Sequence, residues 1–125
     1  MNHAGPSQRQ LRVGEQIRHM IAETLSRGHF DDSALIDSAP NVTVSEVRVS
    51  PDLKNATAYV MSLGGQNMEL ILPALNEAAH YFQKEINRKS ELKFTPRINF
   101  VEDQSFDEAR RIEDIIKSLP ENSSS

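Results

Sequence analysis

Apolar positions recur at two different periods along this chain, and the switches between them mark its elements. Val13, Ile17, Met20, Ile21, Thr24 and Leu25 fall at three- and four-residue spacing, one stripe of a helix. Ser7 is placed to cap that helix, which runs to about Arg27, and Gly28 to end it. After a linker with turn chemistry, HFDDSALIDSAPN (29–41), the period shortens to two. VTVSEVRVS (42–50) and LKNATAYVMSL (53–63) are rich in β-branched residues and predict strands. In the second, Ala56, Ala58 and Val60 share one face, and Thr57, Tyr59, Met61 and Leu63 the other. The Pro51-Asp52 turn between the strands is so short that they must pair antiparallel, as a hairpin. Gly64-Gly65 ends the second strand.

The helical period then returns. Leu72, Leu75, Ala79, Phe82 and Ile86 form an inward stripe on a helix that begins near Gln66 to Met68. Pro73 predicts a distortion between Met68 and Leu72. Ala78 and Ala79 are small where the stripe bends or is approached closely, although alanine is the best helix former and breaks nothing by itself. Thr95-Pro96 stops the helix, and Arg97 to Val101 predicts a short strand with Ile98 and Phe100 on one face. A final weak helix covers 105–118, with Ser105 and Glu108 spaced as a capping box. Its small apolar face is Ile112, Ile115, Ile116 and Leu119. The chain divides into a disordered start (1–6), one domain (7–104) and a C-terminal segment (105–125) ending in a disordered tail. Three strands with helices on one face make an α+β two-layer sandwich. The last strand can pair with either of the other two.

Composition changes the picture in one respect. At 125 residues the chain is one domain plus tails, with no cysteine, no tryptophan, and aliphatics left to fill the core. No disulfide framework or thiolate metal site is possible. No apolar run approaches the roughly 20 residues of a membrane span, and no signal-peptide core is seen, so a soluble, cytoplasmic protein is expected; a monomer is expected as well. The net charge of −4 argues weakly against nucleic acid. It hides segregation, however: 31–82 sum to −5, while 83–101 sum to +3. Lys84, Arg88, Lys89, Lys93 and Arg97 carry that basic stretch. Arg9, Arg12 and Arg18 on the first helix read either as ordinary solvated side chains or as a second basic patch.

Catalytic chemistry has no pattern to rest on. His3, His19, His29 and His80 show no metal-ligand spacing. Gly64-Gly65 lacks the spacing and the Lys-Ser/Thr of a phosphate loop. The acidic pairs Asp31-Asp32 and Glu102-Asp103 diverge in direction and have no partners for acid–base work. No enzyme activity, metal or cofactor is expected.

Several stretches resemble bacterial ribosome-binding factor A. They are RQLRVGEQIRHMIAETL, VTVSEVRVSPDLKNATAYVMSLGG, LNEAAHYFQKEI and PRINFVEDQSFDEARRIEDII, in the family's order over roughly residues 7–119. The most specific piece runs from Val49 to Val60, and the next from Asp103 to Ile112. The resemblance implies a type II KH-like fold: helix, strand, strand, helix, kink, helix, strand, with a three-stranded sheet and a C-terminal appendage. It implies a kink at Ala78, Ala79 and His80, centred on Ala78, in place of the GxxG loop of RNA-binding KH domains. This chain departs from the family pattern at His80 and Ala109, where glycines are common, and at Arg97, where an acid is frequent. By resemblance the protein binds the free, immature small ribosomal subunit and its 16S rRNA. It assists late maturation and 5′-end processing, matters most in the cold, and is released with the help of a maturation GTPase.

A KH-type surface lays an RNA backbone across a helix N-terminus and a basic rim. The expected donors are the amides of about residues 79–82. Lys84, Arg88 and Lys89 supply charge, Lys93 and Arg97 extend it, and Arg9, Arg12 and Arg18 lengthen the track. Arg110 and Arg111 are candidates on the last helix. Two other functions fit the same residues: a general single-stranded RNA binder of KH type, and a protein-interaction domain that uses the last helix and leaves the basic rim to solvent.

Overall fold

The alternating segments close into the sheet that carries everything else. In the computed structural model, which describes residues 5–119 and only the backbone of 105–110, β1 (Val42–Val49) pairs antiparallel with β2 (Asn55–Ser62). Strand β3 (Arg97–Glu102) pairs parallel with β2, giving the order β1-β2-β3. The choice left open by the sequence falls to β2 because the intervening helices form a crossover, which returns the chain to start beside Asn55. Register shifts between Val44 and Glu46, so Ser45 is an extra residue in β1. Ser45 hydroxyl donates to the Asp103 carboxylate just beyond β3.

Helix α1 (Gln8–Arg27) starts at Ser7, as its stripe predicts. Ser7 Oγ accepts from the Gln10 amide and Gln10 Oε1 accepts from the Ser7 amide, a reciprocal cap. Gln10 Nε2 also donates to the Val49 carbonyl at 2.8 Å, tying the start of α1 to the end of β1. Val13, Ile17, Ile21, Thr24 and Leu25 are buried, and Met20 is half-buried. Gly14 is buried with them. A Cβ there would stand 2.6 Å from the Val47 carbonyl oxygen, so the helix rests directly on the β1 backbone.

Residues 29–41 are more ordered than a linker with turn chemistry. Asp32 caps a short helix, α2 (Ser33–Ile36), and a 3₁₀ turn follows over Ala39–Asn41. Leu35 and Ala39 enter the core. Four residues are too few to show a period, so the sequence could not announce this helix.

Helix α3 (Met68–Glu77) begins after Asn67, and Pro73 lies inside it. The helix continues past Pro73 without the expected distortion between Met68 and Leu72, and the break falls at Ala78, where the kink was expected, before α4 (Ala79–Lys89). Leu75, Phe82 and Ile86 are buried as the stripe predicts, but Leu72 and Ala79 are only half-buried. Met68, Ile71 and Ala74 are the other buried residues of α3. The stripe drawn through one continuous helix is displaced on the α3 side because the real helix changes direction. Phe82 packs on Phe100 of β3 with ring centroids 4.9 Å apart and on Phe30 at 5.7 Å.

Helix α5 (Ser105–Ser118) follows β3. Its cap position is Gln104, without a side-chain cap bond, where the sequence pointed to Ser105. The expected Glu108 partner lies outside the described side chains, as does Ala109. Ile112, Ile115, Ile116 and Leu119 are exposed. The expected disorder of 1–4 and of 120–125 concerns residues outside the described range. No helix among the described residues is long and apolar enough to cross a membrane. The chain is thus a two-layer α+β sandwich in the order helix, strand, strand, helix, kink, helix, strand.

Candidate nucleic-acid interface

The two helices meet at one residue. Ala78 has φ −89° and ψ 10°, ending α3 and capping α4. Its amide donates back to the Ala74 carbonyl at 3.0 Å. Its carbonyl accepts from both Tyr81 at 2.9 Å and Phe82 at 3.2 Å. Two of the four amides expected to face a phosphate, those of Tyr81 and Phe82, are therefore already used. The candidate donors narrow to Ala79 and His80. Ala78 and Ala79 are half-buried and His80 is exposed.

One flank of this joint is acidic. Ala78 borders a hollow shared with Asp31, Asp32, Glu77, His29 and Tyr81. Tyr81 closes it by accepting a hydrogen bond from the His29 amide at 3.1 Å and standing edge-on to Phe30 at 5.3 Å. An anion meets repulsion on that side, so the approach to Ala79 and His80 is left to the side of Lys84.

The basic rim on α4 is divided by its own acids. Arg88 donates to Glu85 at 2.8 Å, and Lys89 lies 3.4 Å from Glu23 of α1 and 3.9 Å from Glu85. The hydrogen bond from Arg88 holds the Glu85 carboxyl below its ordinary value. Lys84 is exposed and makes no ion pair among the described residues. On α1, Arg18 is half-buried and bonded to Glu15 at 3.1 Å, while Arg12 is exposed. The structure thus sets Lys84, Arg88 and Lys89 together on α4 with part of their charge compensated, while Arg18 is paired within α1 to Glu15.

Other predicted residues lie elsewhere. Arg97 is exposed on the face of β3 opposite Ile98 and Phe100, so it belongs to the open side of the sheet. Arg48 is also on an exposed position there, 5.0 Å from the Tyr59 ring centroid. Arg9 and Lys93 line a cleft of about 460 Å³ together with Lys54, Leu53 and Phe94. Lys54 and Arg48 were missed in the sequence because each stands alone among neutral or acidic neighbours. Arg111 is exposed on α5, and the Arg110 side chain lies outside the described residues. No group of three or more metal-ligating side chains occurs among the described residues.

The outer strand of the sheet is bound by side chains from the helices above it. Asn76 Nδ2 donates to the Phe100 carbonyl at 3.0 Å, and Asn76 Oδ1 accepts from the Phe100 amide at 2.8 Å. Gln83 Oε1 accepts from the Ile98 amide at 3.4 Å. One residue on each side of the joint is therefore fastened to β3, which fixes the angle between α3 and α4.

Comparison with known proteins places this geometry. Residues 9–116 match the family described as Ribosome-binding factor A. A protein of that name from Methylobacterium sp. (strain 4-46) is 52% identical over 115 residues, covering 92% of this chain and 81% of the relative. Among solved structures, the solution structure of a Thermotoga maritima protein described as a putative ribosome binding factor A superposes with a TM-score of 0.65 and 26% identity, over 82% of this chain and 94% of that one. The Thermus thermophilus ribosome binding factor A coordinates fitted into a cryo-EM map of a 30S complex share the fold, with a TM-score of 0.56 and 22% identity over 73% and 91% of the two chains.

Proposed function

Because the chain belongs to the ribosome-binding factor A family, we propose that it binds the free, immature small ribosomal subunit and its 16S rRNA and assists late maturation. The carrying observation is the family match across the whole helix-kink-helix unit, with exposed Lys84 standing one helical turn beyond His80. In this reading, phosphate meets the Ala79 and His80 amides at the start of α4, where the helix dipole favours an anion. Lys84, Arg88 and Lys89 hold the backbone on either side, with Arg12 and Arg18 extending the track and Arg97 and Arg111 meeting neighbouring rRNA. Arg110 joins Arg111 in that role. Such contacts position the factor without reading sequence. Residues 7–104 are the binding module and 105–125 an appendage that firms on the particle. The protein acts in the cytoplasm as a monomer, by binding and without catalysis or cofactor. It supports 5′-end processing and growth in the cold, and leaves with the help of a GTPase partner.

The test is salt-dependent co-sedimentation with immature small subunits. Changing Lys84, Arg88 and Lys89 together to Glu should abolish most binding. Losing each phosphate contact should lower the salt slope by about one. Unaltered binding by that triple variant would defeat the rim mechanism. A second reading has its own observation, the exposed isoleucines of α5. If truncation of 104–125 removes binding while the triple charge reversal does not, a protein contact through α5 carries the interaction instead.

A further inference from the structure

At the far end of α4 from the joint, roughly 16 Å along the helix by its rise per residue, lies the cleft that holds Arg9, Lys54 and Lys93. Three separate parts of the chain build it. The first two turns of α1 supply Arg9 and Val13; the β1–β2 turn supplies Pro51 to Lys54; the α4–β3 loop supplies Leu92 to Pro96. Its floor is apolar: Val13 and Pro96 are buried, and Leu53 and Leu92 are half-buried. On this floor stands Phe94, 77% exposed, the most exposed large hydrophobic residue among the described residues. The chain does not use this ring to fold.

The walls are prepared for an anion. Arg9, Lys54 and Lys93 are exposed and form no ion pair among the described residues. The one acid in the lining, Asp52, is hydrogen-bonded within the turn, and its charge still acts on Lys54. Its Oδ1 accepts from the Ser50 hydroxyl at 2.6 Å and from the Lys54 amide at 3.0 Å. The Ser50 hydroxyl in turn accepts from Asn55, and the Lys54 carbonyl accepts from the Arg97 amide at 2.8 Å. These bonds hold Leu53 at φ 62°, a left-handed conformation that a branched side chain rarely adopts. The turn is therefore braced in a strained shape, with Leu53 and Lys54 both on the cleft.

An exposed aromatic ring among cations that form no ion pair among the described residues matches an unpaired nucleotide. A base offers a flat apolar face, and its phosphates offer the charge. We propose that this cleft is a second RNA contact, in which one unpaired rRNA nucleotide stacks its base on Phe94 and rests its phosphates on Arg9, Lys54 and Lys93. The assignment builds on the rRNA binding proposed above and adds a site at the opposite end of α4. A groove for an acidic, apolar peptide would use the same walls, but it would not require an aromatic ring at position 94.

The chain has no tryptophan, so Phe94→Trp introduces a single fluorescent reporter at the site. Its emission should be quenched on saturation with immature small subunits and with a short polyuridylate strand, and Lys54→Glu in the same background should weaken both effects. In co-sedimentation, Phe94→Ala should weaken particle binding by about tenfold, the scale of one lost base stack, with the salt slope unchanged. Phe94→Leu should be as weak as Phe94→Ala. Full affinity in Phe94→Leu with loss in Phe94→Ala would mean a protein occupant and overturn the proposal. An unquenched Phe94→Trp chain on particles that it still binds would overturn it too, leaving the basic-rim function standing. Failure of the unaltered chain to bind particles at all would instead sink that function, and this site with it. Because Phe94 is so exposed, all three variants should keep the parent melting temperature.

Discussion

On the rim of α4, Arg88 gives its hydrogen bond to Glu85, and Lys89 sits between Glu85 and Glu23 of a different helix. Around the cleft at the other end of that helix, Arg9, Lys54 and Lys93 have no ion pair among the described residues, and the one acid beside them is held by its own turn. The two regions carry the same number of basic side chains once Lys84 is included. They differ in what a phosphate must displace. On the rim an anion competes with carboxylates already paired to the cations; at the cleft the cations form no ion pair among the described residues, and the one carboxylate, Asp52, is hydrogen-bonded within its turn. Exposed pairs of the rim kind contribute little to folding, typically under about 1 kcal/mol. In the rRNA contact proposed above, such pairs would moderate the pull of the rim on phosphate. The difference teaches that equal numbers of arginines and lysines can differ in how many are already engaged by acids.

The largest expected effect is on what the two regions share. Phe82 is fully buried between Phe30 and Phe100. Phe82→Ala should cost about 3–5 kcal/mol, read as a lowered denaturant midpoint, and should weaken rim and cleft together. If particle binding survived while the midpoint fell, the two surfaces would not depend on one core. A smaller effect would erase the contrast from the rim side. Glu23→Gln with Glu85→Gln releases Lys89 and Arg88, so particle binding should tighten and its salt slope steepen by about one to two phosphate contacts. No change in slope would mean that those ion pairs do not restrain the rim.

The smallest effect is a pH dependence. Folding holds the Glu85 carboxyl below its ordinary 4.5, chiefly through the Arg88 hydrogen bond. A depressed folded value stabilises the native state above the unfolded value, and that contribution is lost as the pH falls through the folded value. The stability difference between the parent chain and Glu85→Gln should therefore be constant above 4.5 and shrink below it. A difference that grew on acidification would show the opposite sign and remove Glu85 from the rim. Measuring both proteins by chemical denaturation across that range decides it.

Long periodic segments were legible before the structure. The stripe from Val13 to Leu25 set α1, and the alternation on both sides of Pro51-Asp52 set the hairpin, because burial on one face imposes those periods. Pro73 misled, since its position says nothing about where tertiary contacts bend a helix. The joint fell at Ala78, where two alanines offer no local reason to stop and Asn76 and Gln83 hold the two helices to β3 from either side. The pairing of β3 depended on the crossover as a whole. The rim was visible as a run of basic residues, but its neutralisation was not. Glu23 and Lys89 are separated by 66 positions, and only the packing of α1 beside α4 makes them neighbours. Lys54 stayed hidden for the same reason: its partners Arg9 and Lys93 come from distant parts of the chain.

The amide side chains of Asn76 and Gln83 have a consequence beyond the angle they set. An outer strand with free backbone groups is a template on which another strand can grow, and folded proteins commonly defend such edges. Here the Phe100 amide and carbonyl are both taken by a single side chain, and the Ile98 amide by another. The device that shapes the helix joint therefore also insulates the sheet, hindering strand addition along its parallel edge by a second copy or by any extended peptide.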